Sequence, residues 1–421
     1  MLQHETVDAV IIGAGPTGCI AATHLAKAGF KVAVLEKTTF PRYRVGESLI
    51  PYCYFPLERA GLIDKVKAAG FQKKHSVQFA AMDGTCSHPF YFTEHMHHDA
   101  ATTWQVERTR FDQILVDHAR EAGAEIHFET QAKDLVRDAA GTVTGVQALH
   151  KSHPITFEAR LTIDASGRDS FAINKNQWRV RDPKLKKVAI WTYYEDAKRD
   201  EGLDEGATTI AYLPEKGWFW YLPLGENKTS VGIVAEKAYL YRDGREPAQI
   251  FAREVQANRW IADHLAGASH NGAFRVTGDY SYRAKHIAED GLVLAGDAFA
   301  FLDPVFSSGL FLALVGGEQA AQAGIAALRA DDVRAARFGD YAERFIGGME
   351  AFRKLVYAFY DQGFSFGALV KKYPDQRPAL TDCLIGNVFR DFDQLFQAMA
   401  DFAAVPEALG HGRPRTESVS C

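Results

Sequence analysis

The sequence predicts an α/β fold: a dinucleotide-binding unit of strands and helices, an inserted antiparallel β-sheet unit and a helical C-terminal region. Three observations carry this. Val7 to Ile12 is a β-branched run that ends in Gly13-Ala14-Gly15-Pro16-Thr17-Gly18, followed by a helical pattern, a second apolar run and an acidic residue, Glu36. Between Arg168 and about Asp290 helical periodicity fades and strand-like runs dominate. From Leu310 onward the pattern is mainly helical again.

Composition bounds the function. A chain of 421 residues exceeds one ordinary core, so two or three units are expected. With 47% apolar and 24% charged residues it reads as soluble and globular, and a net charge of -5 leaves no footprint for nucleic acid. The opening residues lack a cationic leader, and no window approaches about 18 uninterrupted apolar residues, so no membrane span is expected. Five scattered cysteines without metal spacing fit a reduced, cytoplasmic location. The tract His95-Met96-His97-His98-Asp99 has no partner ligand at a useful spacing and reads as a polar loop, so no metal is expected.

In chain order, Gly13, Gly15 and Gly18 allow a tight turn, close approach to a pyrophosphate and close helix packing, and Glu36 falls where an acid holds an adenosine ribose. Pro41-Arg42-Tyr43-Arg44-Val45-Gly46-Glu47-Ser48 is charged where a plain fold would turn; Arg42 or Arg44 is a candidate phosphate partner, against a solvated loop. Gly70 to His75 leads into a strand at Ser76 to Ala81, and its Lys73-Lys74 pair reads by itself as surface decoration. Phe111 to Ala122 has helical spacing, and Arg108 just before it is a candidate to face a ligand. Strands are read at 125–135, 143–147 and near 161–164, then at 187–194, 208–213, 218–223, 229–235 and 277–284. Trp218 and Trp220 fall on one face of their strand, as core or as an aromatic wall beside a flat cofactor. Gly291 to Ala313 returns to the first unit: strand, Gly296-Asp297 turn, loop with Pro304, then free amides at Ser307 to Gly309 opening a helix. Asp297 suits a sugar hydroxyl chain, and those amides suit an anion. The basic run Arg179 to Lys187 reads as a solvated face or as a landing site for an acidic carrier.

The whole set resembles the flavin-dependent halogenases, within the wider group of FAD monooxygenases and geranylgeranyl reductases. The broad part is the FAD signature: Gly13, Gly15, Gly18, Glu36, Arg44, Arg108, Gly296, Asp297 and Leu310 are the implied cofactor contacts. The narrower part is three coinciding signals: the loop PRYRVGES, the wall Trp218-Phe219-Trp220-Tyr221-Leu222-Pro223 as Trp-x-Trp-x-x-Pro, and Phe301, Pro304, Ser307 and Gly309 as the F-x-x-P-x-x-S-x-G motif. In that family the last motif holds a halide on backbone amides, here those of Ser308 and Gly309. Trp218, Trp220, Pro223 and Pro304 are then the flavin-side wall. The resemblance also lifts Lys74, in a GFxxK segment, to candidate catalyst. It implies FAD used as FADH2, with O2 and chloride or bromide as co-reactants; hypochlorous acid passes along a tunnel to Lys74 and chlorinates an electron-rich aromatic ring. Phe306 stands where free-tryptophan enzymes carry glutamate, which points to phenolic or pyrrolic substrates, free or tethered to a carrier protein. Ser76 stands where the family prefers glycine after the lysine. No second glycine-rich fingerprint for a nicotinamide appears, so a separate flavin reductase is expected. The alternative is an FAD oxidoreductase of hydroxylase or geranylgeranyl reductase type without halogenation.

The expected layout is a Rossmann-like FAD-binding domain over 1–80, 100–170 and 285–330, a β-sheet substrate domain over 81–99 and 171–284, a helical region over 331–409 and a disordered tail over 410–421.

Overall fold

The computed structural model describes residues 3–278 and 280–416. At its centre lies the strand Gln3–Ile12, parallel to His153–Asp164 on one side and to Val32–Leu35 on the other. Glu125–His127 extends one edge and Leu292–Leu294 the other, both parallel. Ala9, Val10 and Ile11 are fully buried, as expected of a central strand covered on both faces. A hairpin of Thr130–Arg137 and Val143–His150 pairs antiparallel along the first half of His153–Asp164, and Ala288–Glu289, antiparallel outside Leu292–Leu294, completes eight strands.

The turn out of the first strand is dictated by sterics. Gly13 has φ +103, and a Cβ there would lie 2.6 Å from the carbonyl oxygen of Ala165. The helix Pro16–Lys27 starts immediately afterwards, with proline in its first turn, where a missing amide hydrogen costs nothing. Against it packs Ser308–Arg329, so closely that a Cβ on Gly317 would stand 2.3 Å from the carbonyl oxygen of Thr17. This is the one helix among the described residues long and apolar enough to cross a membrane, and 78% of its apolar window is buried inside the fold.

The second sheet has seven strands, in the order Ser269–Gly278, Lys187–Glu195, Lys228–Glu236, Trp218–Pro223, Thr208–Tyr212, Ser76–Ala80 and Phe90–Tyr91. Strand alternation splits its aromatics. Phe219 and Tyr221 pack outward with Phe251 and Trp260 of the helices Pro247–Ala257 and Arg259–Leu265. Trp218 and Trp220 face inward with the main core, and Trp220 lies flat across Gly232, where a Cβ would meet the indole at 2.2 Å.

Several sequence expectations shift. Ser76–Ala80 pairs with Thr208–Tyr212 in the second sheet, ahead of the expected boundary at 81. The run 277–284 is not one strand: Ser269–Gly278 belongs to the second sheet, while Tyr282–Ala284 joins Arg179–Arg181 and Ala300–Phe301 in a small third sheet. The C-terminal helices are Gly339–Tyr360, Phe366–Lys372, Arg377–Ile385 and Asp393–Met399. The tail expected to be disordered is tied down as far as it is described. The Gly412 amide donates to Lys285, Ile287 donates to Gly412 and Arg415 donates to Ala288, at 2.9, 3.1 and 2.7 Å, and Arg415 also pairs with Glu289. Polar composition hid this because backbone pairing needs no apolar side chain. Residues 417–421 lie outside the described part.

Candidate active site

A cavity of about 1000 Å³ opens between the two sheets, at the C-terminal ends of the parallel strands, where an open α/β sheet binds its ligand. Its nucleotide end is built from local segments. Gly13, Gly15, Pro16 and Thr17 line it; a Cβ on Gly15 would meet only the Arg42 guanidinium, at 3.6 Å. Gly18 does not line the cavity: a Cβ there would stand 1.9 Å from the carbonyl oxygen of Gly13, so its part is close packing of helix on strand, not cofactor contact. Glu36 caps the second strand. One of its oxygens accepts from the Ala14 amide at 3.2 Å, and the other accepts from the Thr38 amide and hydroxyl at 3.0 and 2.7 Å.

Asp112 fixes two cations over this end. It takes Arg108 by two hydrogen bonds of 2.7 and 3.0 Å and Arg42 at 3.3 Å. Arg44 also lines the cavity, its side chain donating to the neighbouring Tyr43 carbonyl at 3.0 Å. Asp297 faces the cavity across from them; burial pushes its carboxyl up to about 6 although Arg168 and Arg108 pull it down. Gly296 is absent from the lining. It holds φ +56, and a Cβ there would meet the Thr17 hydroxyl at 2.4 Å, so it sets the turn that aims Asp297.

At the other end the chain from Phe301 to Leu310 folds around a helix start. Asp303 caps the short turn Pro304–Phe306 by accepting from the Val305 amide at 3.0 Å. Ser307 takes the left-handed conformation, φ 53, and Ser308–Arg329 begins directly after it. Ser307, Ser308, Gly309 and Leu310 all line the cavity. Amides in a first helical turn have no partner inside the helix, and the helix dipole adds positive potential, so this corner suits an anion. Gly309 keeps it open, the nearest atom to a Cβ there being Phe301 Cε2 at 4.0 Å.

Trp218, Trp220 and Pro304 line the cavity. Pro223 does not: the strand alternates, so Leu222 joins the two tryptophans and Pro223 points to the opposite face. The Trp218 indole donates to the Tyr360 hydroxyl at 2.9 Å, and that hydroxyl lies 3.1 Å from both oxygens of Asp303. The helix Gly339–Tyr360 therefore braces the cavity wall from behind, with Phe359 also packing on Phe306.

Lys74 is fully buried and lies just behind the wall, not on it. Its amine donates to the Ser48 hydroxyl at 2.9 Å and to the Leu49 carbonyl at 3.1 Å, with the Phe92 ring 5.6 Å away. Burial lowers its pKa to about 7. Ser48 and Thr208, whose hydroxyls are 3.0 Å apart, line the cavity and stand between it and the amine. Glu47 and Ser48 stand in the charged loop with no role of their own in the sequence, Thr208 and Asp303 carry no signal beyond strand and loop, and Tyr360 belongs to a helical run of aromatics whose spacing reads as core packing or a substrate lid. The basic run is not one solvated face, since Lys187 is buried against Glu236 at 2.5 Å and Arg179 lies over the Tyr282 ring.

The residues fit a flavin dinucleotide. The glycine cradle is open, Glu36 and Asp297 offer carboxylates to hydroxyl groups, the buried Arg42 Nε and Tyr280 hydroxyl have no hydrogen-bond partner among the described residues, and Trp218 and Trp220 line the same cavity as the helix start. Fold and site together define a flavin-dependent oxidoreductase. The FAD binding domain family matches residues 6–332. The chain is 30% identical to the 1H-pyrrole-2-carbonyl-(peptidyl-carrier protein) chlorinase of Pseudomonas fluorescens, over 98% of this chain and 97% of that one. It is 30% identical to the corresponding brominase of Pseudoalteromonas luteoviolacea, over 91% of this chain and 92% of that one. Among solved structures a flavin-dependent brominase superposes with TM-score 0.84 at 27% identity, over 94% of this chain and 97% of that one. The chain belongs to the flavin-dependent halogenases. Its relatives decide for halogenation of an aromatic compound over the hydroxylase or reductase alternative, and its cofactor is FAD.

Proposed function

We propose that this chain chlorinates or brominates a pyrrolic or phenolic ring presented on a carrier protein, with Lys74 as the residue that hands the halogen on. The carrier-tethered pyrrole substrates named for the two relatives, each matched over nine-tenths of this chain or more, support the substrate class. Reduced flavin with O2 and halide supplies the hypohalous oxidant. The protein's own residues do the rest. Gly13, Gly15, Glu36, Arg44, Arg108 and Asp297 bind and orient the cofactor, with Leu310 beside it. The amides of Ser308 and Gly309 hold the halide, and Trp218, Trp220 and Pro304 keep the aromatic substrate off the flavin. Reduced flavin is delivered by a separate reductase, in the cytoplasm; the four described cysteines are free, in keeping with that compartment.

The observation that carries this reading is the environment of Lys74. A neutral amine has two N–H donors and one lone pair, and here there are two acceptors, Ser48 Oγ and Leu49 O. Both donors are satisfied, and the lone pair is left for an electrophilic halogen. An ammonium would strand its third hydrogen in a buried site, which agrees with a pKa brought down to about 7.

The test is product mass spectrometry with a flavin reductase, halide and a panel of phenols and pyrroles, each free and carrier-tethered. The expected result is the chlorine or bromine isotope pattern on a tethered ring, lost in Lys74→Ala while FAD stays bound. An unchanged product yield in Lys74→Ala removes Lys74 from the mechanism. Bromide-soaked crystals should show an anomalous peak at Ser308 and Gly309, and an empty position there overturns the halide assignment.

A further inference from the structure

Halogenation has a proton requirement that the residues named so far do not meet. Aromatic substrate, halide, O2, reduced flavin and one proton become halogenated product, oxidised flavin and two waters; without that proton neither hydrogen nor charge balances. The cavity is deep between the sheets, so the proton needs a route and a final donor.

Glu47 has the geometry for the donor. Its side chain is buried, 4% exposed, yet the residue lines the flavin cavity. One carboxyl oxygen, Oε1, accepts from the Tyr193 hydroxyl at 2.7 Å; the other, Oε2, meets no donor at full hydrogen-bond geometry among the described residues, the Ser230 hydroxyl being the polar group beside the carboxyl. A buried carboxyl oxygen left bare is costly unless it carries a proton or meets a ligand. Behind Tyr193 the hydroxyl of Tyr43 lies 3.1 Å away and takes the Trp191 indole N–H at 2.6 Å. The single Tyr193 hydrogen lies within reach of two acceptors, Glu47 Oε1 and the Tyr43 oxygen, and the Trp191 N–H also donates to Tyr43. Tyr193 therefore bridges Tyr43 and the carboxyl. Both tyrosines are partly exposed, and the Tyr43 ring lies under the exposed Arg275 at 3.8 Å, so this row of groups begins near solvent and ends on the cavity.

We infer that Tyr43, Tyr193 and Glu47 form a proton inlet, with Glu47 giving one proton to the flavin cavity in each turnover. The inference rests on the halogenase reading above. In the step, the Glu47 O–H bond breaks and its proton goes to oxygen being reduced in the cavity, leaving a carboxylate. Oε1 then takes the Tyr193 proton, Tyr193 takes that of Tyr43, and Tyr43 takes one from water, so no tyrosinate persists. The groups facing Glu47 are Tyr193 and Tyr43, Ser230 and Lys228 of the neighbouring strand, and Arg108. Burial outweighs the hydroxyls and the two cations and brings the carboxyl up to about 7, so it is reloaded at neutral pH.

The test has one arm that needs no flavin. Infrared spectra of the FAD-free protein should show a protonated-carboxyl C=O band that titrates near pH 7, as expected for this group, and that is missing in Glu47→Gln. In loaded enzyme, Glu47→Gln should slow halogenation about 100-fold and remove the high-pH fall of the rate, with FAD affinity kept. Tyr193→Phe, which keeps the ring and the carboxyl, should slow it less and abolish the multi-proton solvent isotope effect. A band that persists in Glu47→Gln, or a Glu47→Gln pH profile like the wild type, overturns the donor; a wild-type isotope effect in Tyr193→Phe overturns the relay. If the wild type makes no aryl halide, the halogenase reading fails, while the infrared arm still decides whether Glu47 holds the proton.

Discussion

The two ends of the cavity differ in how their polar groups are satisfied. At the nucleotide end, Glu36 is buried with three hydrogen bonds from its own neighbourhood, and Asp112 holds both arginines above it. At the far end, Glu47 Oε2 lacks a donor at full hydrogen-bond geometry among the described residues, the Lys74 amine has two acceptors, and Asp303 is held up to about 6 by burial while sharing a hydroxyl with Trp218. On the proposed reading, groups that bind are paired, while groups that exchange protons or halogen keep a valence open. Open valences cost stability, as expected where a fold gives up local consistency for chemistry.

The bluntest way to break this contrast is at the binding end. Gly13→Val meets a positive φ and a carbonyl 2.6 Å away, beyond the roughly 1–3 kcal/mol of ordinary backbone strain, and should yield protein without flavin or none that is soluble. Flavin absorbance of the purified protein decides it, and a yellow, folded variant contradicts the packing argument.

At the reaction end, Lys74→Met should lose halogenated product by about 100-fold or more yet keep FAD. Stability should move the other way. The folded-state pKa lies at about 7, below the 10.5 of the unfolded chain, so below pH 10.5 the unfolded state binds the extra proton and the amine weakens the fold; the weakening is complete below about pH 7. Replacing it with methionine should raise Tm by about 1–3 °C at neutral pH, read by scanning calorimetry. A lower Tm would mean that the two hydrogen bonds of Lys74 outweigh its desolvation.

The pH dependence sharpens the contrast further. Halogen transfer should rise as pH passes about 7, where Lys74 frees its lone pair, and fall above the titration of Glu47, also about 7, giving a narrow bell. FAD binding should stay flat across the same range. Tyr360→Phe removes the hydroxyl between Trp218 and Asp303 and should lower product several-fold, about 1–2 kcal/mol in the barrier, without flavin loss. Pro223→Ala, on the outward face of the wall strand, should leave product within about twofold.

Much of the binding end was legible in the chain because its parts are neighbours in sequence. A strand, glycine turn, helix, strand and acid follow one another over some thirty residues, and their spacing is imposed by the ligand. The helix start at Ser308 was legible for the same reason. Pro223 was misplaced because a motif read as a string ignores alternation along a strand, while Gly18 and Gly296 were credited with contacts when they serve packing. Thr208 was invisible as a site residue, since it reaches the cavity from an element whose own pattern says only strand, and Tyr360, in a helical run of aromatics, touches the site only through Trp218 and Asp303.

By itself the sequence determined the α/β class, the nucleotide cradle, the anion-ready helix start and the family, because each is a local pattern with a physical reason for its order. Only the tertiary structure decided that Lys74 is buried rather than decorative, that Ser48 and Thr208 stand between it and the cavity, and that two tyrosines lead to the Glu47 carboxyl. Burial and donor count are properties of what surrounds a side chain, and those surroundings come from strands more than a hundred residues apart in the chain.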